Sequence, residues 1–288
     1  MPIDYARLKN RPFKDVESTY SHSDTMLYAL SVGLGSDPTD AGQLKFVYEE
    51  GLKALPTMSL VLADPGFWLR EPDTGIDWPQ VLYGEVGMEL HAPLPACTAV
   101  IGKTTINEIV DKGPGKGALI YTTRRVVERD SGKLLCTLDS TYFCRTDGGF
   151  GGASGPTRVP HALPERHCDE VCDLRTLRQS ALLYRLTGDF NPLHVDPAVA
   201  GRAGFDRPIL HGLCTFGVAG HALLKTLCHY EADRTIRMRA RFSKPVFPGE
   251  TVRTEIWREG RGRAGFRCRA LERNTVVLDN GFYEYHED

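Results

Sequence analysis

The feature that most constrains this chain of 288 residues is a repeated order of short motifs in its two halves. Three pairs of similar motifs lie about 152 to 156 residues apart: 27–31 with 183–187, 56–59 with 208–211, and 93–95 with 245–248. Similarity at a nearly constant spacing indicates an internal duplication. Each match is short, so two unrelated α+β domains remain the alternative.

A stretch rich in glycine and proline separates the halves. Residues 148–167 have neither helical nor alternating apolar periodicity, which is typical of a linker. The sequence therefore predicts an N-terminal half over residues 1–147 and a C-terminal half over residues 168–288.

Alternating and β-branched residues predict antiparallel strands in both halves. Residues 118–128 and 134–143 flank a short turn and predict a hairpin. In 236–242, apolar residues alternate with Arg237, Arg239 and Arg241, which predicts one buried face and one solvated face. Further strands are expected over 251–257, 264–272 and 275–284. With one substantial helix in each half, the expected fold class is α+β.

Composition excludes several classes of function. A net charge of −2 does not produce the positive field that nucleic-acid binding requires. We find neither an N-terminal signal sequence nor an apolar run of membrane-spanning length, and the last residues are not a Ser-Lys-Leu address, so we expect a cytoplasmic protein. The eight scattered cysteines indicate reduced thiols and lack zinc-finger spacing, so we expect no metal.

One loop concentrates groups that could carry chemistry. Gly188 is expected to end a helix and Pro192 to fix a turn, which brings Asp189, Asn191 and His194 together. A carboxylate beside an imidazole suits general acid–base catalysis, and an amide can fix orientation. The alternative is a turn-forming aspartate with a solvated histidine.

A second motif lies about eighteen residues further along the chain. An apolar helical pattern begins after His211, so Gly212 is expected at the start of a helix. The backbone N–H groups of a first helical turn have no partner within the helix, and the helix dipole favours negative charge there. The Gly212 N–H is thus suited to hold a developing oxyanion.

Residues 184–197 and 204–214 together resemble the hydratase 2 motif of MaoC-like, type 2 enoyl-CoA hydratases, and the resemblance extends over most of the chain. The two-domain, eukaryotic-type members are the most similar form. The resemblance implies a double hot-dog fold and reversible syn hydration of trans-2-enoyl-CoA to (R)-3-hydroxyacyl-CoA. It also implies an acyl-CoA as the bound partner, no cofactor, and a possible homodimer.

The resemblance assigns roles to individual residues. Asp189 and His194 match the catalytic pair, Asn191 matches the amide of the same loop, and Gly212 matches the oxyanion donor. Positions that match the family's acyl-CoA contacts are Tyr83, Gly84, Lys112, Phe190, Pro192, Leu193 and Phe242. Tyr83 departs from the histidine that the family often has there. Lys112 lies in 111–117, which lacks the Gly-Lys-Ser/Thr ending of a phosphate loop and is expected to form a hairpin turn.

The first half lacks the acid–base pair. Residues 34–38 stand where the second half has its Asp and His, so we expect one active site per chain. The first half is then expected either to accommodate the acyl chain or to give structural support alone. An acyl-CoA thioesterase and a non-catalytic acyl-CoA binding protein remain alternative functions, because the fold alone does not decide between them.

Overall fold

Ten antiparallel strands form one sheet in the computed structural model, which describes residues 2–155 and 157–287. The strands of the first half are β1 (Val16–Tyr20), β2 (Val81–Leu90), β3 (Thr98–Asp111), β4 (Ala118–Glu128) and β5 (Leu134–Cys144). Those of the second half are β6 (Glu170–Arg175), β7 (Thr235–Phe242), β8 (Thr251–Arg258), β9 (Arg263–Ala270) and β10 (Thr275–Tyr285). The predicted hairpin is β4 and β5, and the turn expected at 111–117 joins β3 to β4.

The two halves of the sheet have the same connectivity. Reading inward from each edge, the order is β1-β3-β4-β5-β2 in the first half and β6-β8-β9-β10-β7 in the second. They join where β2 pairs with β7, with Met88 opposite Met238. This mirrored order confirms the duplicated layout that the repeated motifs predict. The described residues of 148–167 form no helix or strand, and position 156 lies outside them.

Six α-helices complete the described structure. They are α1 (Tyr5–Lys9), α2 (His22–Ser31), α3 (Ala41–Leu44), α4 (Ser180–Tyr184), α5 (Pro197–Arg202) and α6 (Gly212–Cys228). The longest is α6, of 17 residues, which packs on the sheet of the second half and is buried along nearly its whole length. No helix among the described residues is long and apolar enough to cross a membrane.

The first half has one substantial helix, α2, as expected, but it has no counterpart of the longer α6. At the corresponding place the chain forms a 3-10 helix, Pro56–Val61, followed by short 3-10 turns up to β2. Pro65, Pro72 and Pro79 interrupt this segment, and proline inside a helix removes a hydrogen bond and clashes with the preceding turn. The segment that corresponds to α6 in the first half is therefore irregular.

Two glycines of α6 allow the first half to approach closely. A Cβ atom at Gly217 would lie 2.6 Å from a methyl group of Val32, and one at Gly220 would lie 2.5 Å from a methyl group of Thr57. Larger side chains at these two positions would overpack the junction, which typically costs about 1–3 kcal/mol. Helix α6 thus serves as packing support for both halves.

The three arginines of β7 lie mainly among carboxylates. Arg237 forms an ion pair with Glu89 at 2.9 Å, and Arg241 pairs with Glu85 across the β2–β7 junction. Arg239 is exposed, with its guanidinium 5.3 Å from the centre of the Phe282 ring. The opposite face is buried at Met238 and Ala240, as the alternation predicts.

A buried histidine links the halves and predicts how stability depends on pH. His221 on α6 hydrogen-bonds the carbonyl oxygen of Val32 (3.3 Å) and the hydroxyl of Tyr230 (3.1 Å), and burial lowers its pKa to about 4. The folded chain disfavours the charged ring. The contribution of the neutral His221 to the free energy of unfolding is therefore complete above pH 6.5 and is lost as the pH falls towards 4. We expect a His221→Gln variant to lose less unfolding free energy over this window than the wild type does. Urea unfolding at pH 7, 5.5 and 4 measures both slopes, and equal slopes would contradict the assignment.

Candidate active site

The loop after α4 has the geometry that its glycine and proline predict. A 3-10 turn follows α4 and ends at Gly188, whose φ of +124° is poorly accessible to other residues. The Asp189 carboxylate accepts a hydrogen bond from the backbone N–H of Asn191 (3.1 Å), and the Asn191 side chain accepts one from the N–H of Leu193 (3.0 Å). These bonds stabilise a compact loop and keep Asp189 partly exposed.

His194 is buried rather than solvated. It is 9% exposed, and its Nδ1 donates to the carbonyl oxygen of Ile209 at 2.9 Å. With the proton on Nδ1, the neutral ring keeps a lone pair on Nε2. Burial lowers the pKa of His194, outweighing the Ile209 bond and the Asp189 charge, which raise it. The side chain is therefore neutral at pH 7 and able to accept a proton at Nε2.

A second histidine, which no sequence motif assigned to catalysis, belongs to this site. The His211 ring lies 3.8 Å from the His194 ring, and its Nε2 donates to the backbone carbonyl oxygen of Asp189 at 3.2 Å. Burial, and then the neighbouring His194, lower the pKa of His211 to about 4. The only sequence signal was its position directly before Gly212.

The three side chains form one cluster. A carboxylate oxygen of Asp189 and one ring nitrogen each of His194 and His211 lie within 4.8 Å of one another. Such a set could hold a metal ion, but the two histidine rings lie face against face, with centres 3.8 Å apart and planes inclined by 31°. One nitrogen of each ring is also engaged by a backbone carbonyl oxygen. The cluster therefore suits proton transfer better than metal binding.

Helix α6 begins beside this cluster. Gly212 is its first residue, as expected, so its N–H has no acceptor within the helix. A Cβ atom at Gly212 would lie 3.1 Å from the Phe242 ring, and the Tyr83 ring lies 5.5 Å from that of Phe242. The fold thus brings Gly212, Phe242 and Tyr83 together from three distant parts of the chain.

The other predicted contact residues differ in how close they lie to the cluster. Gly84 is at a β-bulge between β2 and β5, where a Cβ atom would lie 3.3 Å from the carbonyl oxygen of Thr141. Phe190 is exposed and lies under the guanidinium of Arg185, at 5.0 Å. Pro192 and Leu193 are in the loop itself. Lys112 instead lies over the Phe143 ring at 5.0 Å, and no described contact joins it to the loop, so its role stays a prediction.

A groove of about 1040 Å³ reaches the site at His194 and Val195. Basic residues on its wall are Arg175, Arg178, Arg207 and Arg273, and acidic ones are Asp206, Glu250 and Glu272. Arg273 is paired with Glu250, which leaves three arginines outside that ion pair. The Phe247 ring adds an apolar surface to the groove. The Arg207 guanidinium lies over this ring, 4.8 Å from its centre.

Comparison with known proteins agrees with this arrangement. Residues 160–280 match the MaoC like domain, and residues 18–146 match the MFE-2 hydratase 2 N-terminal domain. The 3-hydroxyacyl-thioester dehydratase Y of Mycobacterium tuberculosis is 42% identical over an alignment of 275 residues that covers 92% of this chain and 93% of that protein. The chain belongs to the MaoC-like hydratase 2 family.

Other members of the MaoC-like hydratase 2 family support the same assignment. The peroxisomal enoyl-CoA hydratase 2 of Arabidopsis thaliana is 38% identical over 281 residues, covering 90% of this chain and 88% of that protein. The crystal structure of a MaoC-like dehydratase from Phytophthora capsici superposes with a TM-score of 0.87 at 33% identity, covering 99% of this chain and 100% of that one. The family and the double hot-dog fold inferred from the sequence are both confirmed.

Proposed function

We propose that the chain catalyses the reversible syn hydration of trans-2-enoyl-CoA to (R)-3-hydroxyacyl-CoA. The observation that carries this proposal is the pairing of a partly exposed Asp189 carboxylate with a buried, neutral His194 whose Nε2 is free to accept a proton. Hydratase and dehydratase names among relatives that match almost the whole chain support the same reaction.

The geometry favours a division of roles within the pair. A water molecule held between Asp189 and His194 would donate one proton towards His194 Nε2 as its oxygen adds to C3. A proton then passes from the pair to C2 on the same face, so that one water is added overall. The Gly212 N–H holds the thioester oxygen as negative charge develops, an interaction whose loss typically costs about 10²–10³-fold in rate.

The groove beside His194 suits the CoA part of the substrate. Phosphate groups bind well to arginine, whose planar guanidinium donates two parallel hydrogen bonds. Arg175, Arg178 and Arg207 supply such groups on the wall of the groove that reaches the catalytic loop. We propose that these arginines contact the CoA phosphates.

One incubation separates the three candidate functions. With a trans-2-enoyl-CoA of medium length, a hydratase yields a product heavier by one water, a thioesterase releases free CoA, and a binding protein leaves the ligand unchanged. We expect the water adduct, and chiral analysis should identify it as the (R)-3-hydroxyacyl-CoA. Free CoA, an (S) product or unchanged substrate would contradict the proposal.

A row of aromatic rings leads from the active site into the first half. Phe242 contacts Tyr83, Tyr83 contacts Tyr142 at 5.0 Å between ring centres, and Tyr142 contacts Trp68 at 6.0 Å. The first three rings are partly exposed, whereas Trp68 is 3% exposed and lies in the segment that replaces the missing helix. We propose that the acyl chain lies along this row and that Trp68 closes its far end.

Shortening Trp68 should therefore change the preference for chain length. We expect Trp68→Ala to raise the ratio of kcat/KM for a long over a four-carbon enoyl-CoA about tenfold or more, since a misfit methylene costs about 1–3 kcal/mol in an apolar pocket. Trp78→Ala is the matched control, because Trp78 is in the same segment but is 46% exposed and packs edge-to-face against Phe67. If Trp68→Ala does not fold, the milder Trp68→Phe variant tests the same expectation. An unchanged ratio in folded variants would contradict the assignment.

Cellular location and oligomeric state are further parts of the proposal. We propose a cytoplasmic homodimer, although the Arabidopsis relative is named as peroxisomal. Subcellular fractionation and light scattering on the purified protein measure the two properties directly.

A further inference from the structure

Three buried polar atoms beside the catalytic loop have no hydrogen-bond partner among the described residues. They are the hydroxyl oxygen of Tyr184, the Nε of Arg185 and the Nδ1 of His211. The Tyr184 and His211 side chains are at most 1% exposed. A buried polar atom without a partner costs about 1–3 kcal/mol, so a cluster of them indicates a function or a shared hydrogen bond.

Two of these atoms are chemically complementary. The Nε2 of His211 donates to the carbonyl oxygen of Asp189, so the neutral ring has its lone pair on Nδ1. The Tyr184 ring lies 5.0 Å from the His211 ring, and its hydroxyl can donate. Tyr28, from the first half, follows at 6.0 Å from Tyr184.

We propose that Tyr184 is a positioning residue whose hydroxyl donates to Nδ1 of His211 through one ordered water. This bond holds His211 as the Nε2–H tautomer, the form that can donate to the backbone of Asp189. The other tautomer would place a lone pair against that carbonyl oxygen and release the backbone of the loop. Tyr184 therefore acts on the Asp189 carboxylate through His211 and does not touch the substrate.

Positioning has a kinetic signature that differs from binding. A displacement of a catalytic group by about 1 Å can cost 10²-fold in rate. We expect Tyr184→Phe to lower kcat about 10-fold to 100-fold and to leave KM within about twofold, because the loop geometry and not the CoA contacts changes. This expectation assumes the hydratase activity proposed above.

The matched control is Tyr283→Phe. Tyr283 is also buried, contacts the opposite end of α6, and hydrogen-bonds Thr235 at 2.7 Å. Both variants lose one buried hydroxyl, so both should lose similar stability, but Tyr283→Phe should keep wild-type kcat. Equal loss of kcat in the two variants would show a merely structural effect and overturn the proposal.

Nitrogen-15 NMR of histidine-labelled protein tests the tautomer without turnover. We expect His211 to be protonated on Nε2, and its Nδ1 resonance to move downfield in Tyr184→Phe as the hydrogen bond is lost. A proton on Nδ1 in the wild type, or an unmoved resonance in the variant, would overturn the inference. Because this signal needs no substrate, a wild type without hydratase activity would instead contradict the proposed function.

A double-mutant cycle tests whether Tyr184 acts through His211. His211→Gln retains an N–H that can donate to the Asp189 carbonyl oxygen and has no second tautomer. Adding Tyr184→Phe to this variant should therefore lower kcat little further, since coupled residues are not additive. Full additivity of the two effects would overturn the proposal.

Discussion

Replacing Asp189 by Asn is expected to lower kcat by about 10²–10⁴-fold, the usual contribution of a positioned acid or base. The amide has nearly the shape of the carboxylate but does not exchange a proton with water or substrate. Its oxygen can still accept the bond from the Asn191 N–H, so the loop should keep its geometry. Steady-state turnover of a trans-2-enoyl-CoA, together with circular dichroism, measures both parts of this expectation.

Asp196→Asn is the control for this variant. Asp196 is close by in the chain, and its carboxylate caps α5 by accepting from the N–H of Ala198 at 2.7 Å. Asparagine caps helices about as well as aspartate, so turnover should stay near the wild-type value. If Asp189→Asn also turned over near the wild-type rate, Asp189 would not be part of the acid–base pair.

Replacing His194 by Ala is expected to have an effect of similar size, a fall in kcat of about 10²–10⁴-fold. Among the described residues of the cluster, the variant removes the only side chain that lines the groove. Loss of the bond to the Ile209 carbonyl oxygen should cost about 0.5–1.5 kcal/mol of stability, which leaves the fold intact.

The pH profile identifies the protonation state of His194 in the wild type. Burial lowers the pKa of His194, so kcat/KM should fall only as the pH decreases through a midpoint below 6.5, where the ring becomes charged. The residual activity of His194→Ala should lack this acid limb. His91→Ala is the control, because the His91 side chain is exposed and hydrogen-bonds only Thr137 among the described residues. If the acid limb of the pH profile persisted in His194→Ala, it would have to be assigned to another group.

Local sequence signals predicted much of the site. Gly188 and Pro192 define the loop that presents Asp189, and the start of α6 at Gly212 follows from the apolar pattern after it. Alternation predicted β7 and the hairpin of β4 and β5 almost to the residue. These features depend on backbone preferences and side-chain periodicity within a few residues, which a single sequence displays.

Other features depend on contacts between residues far apart in the chain, and only the folded structure reveals them. Nothing local predicts that His211 stacks on His194, that Tyr184 lies against His211, or that Tyr83 reaches Phe242 across the β2–β7 junction. The duplicated motifs likewise gave no sign that α6 lacks a helical counterpart in the first half, where prolines interrupt the corresponding segment. Spacing along the chain predicts the turns and strands. Burial and pairing across the sheet decide which side chains meet and which nitrogen of each histidine is protonated.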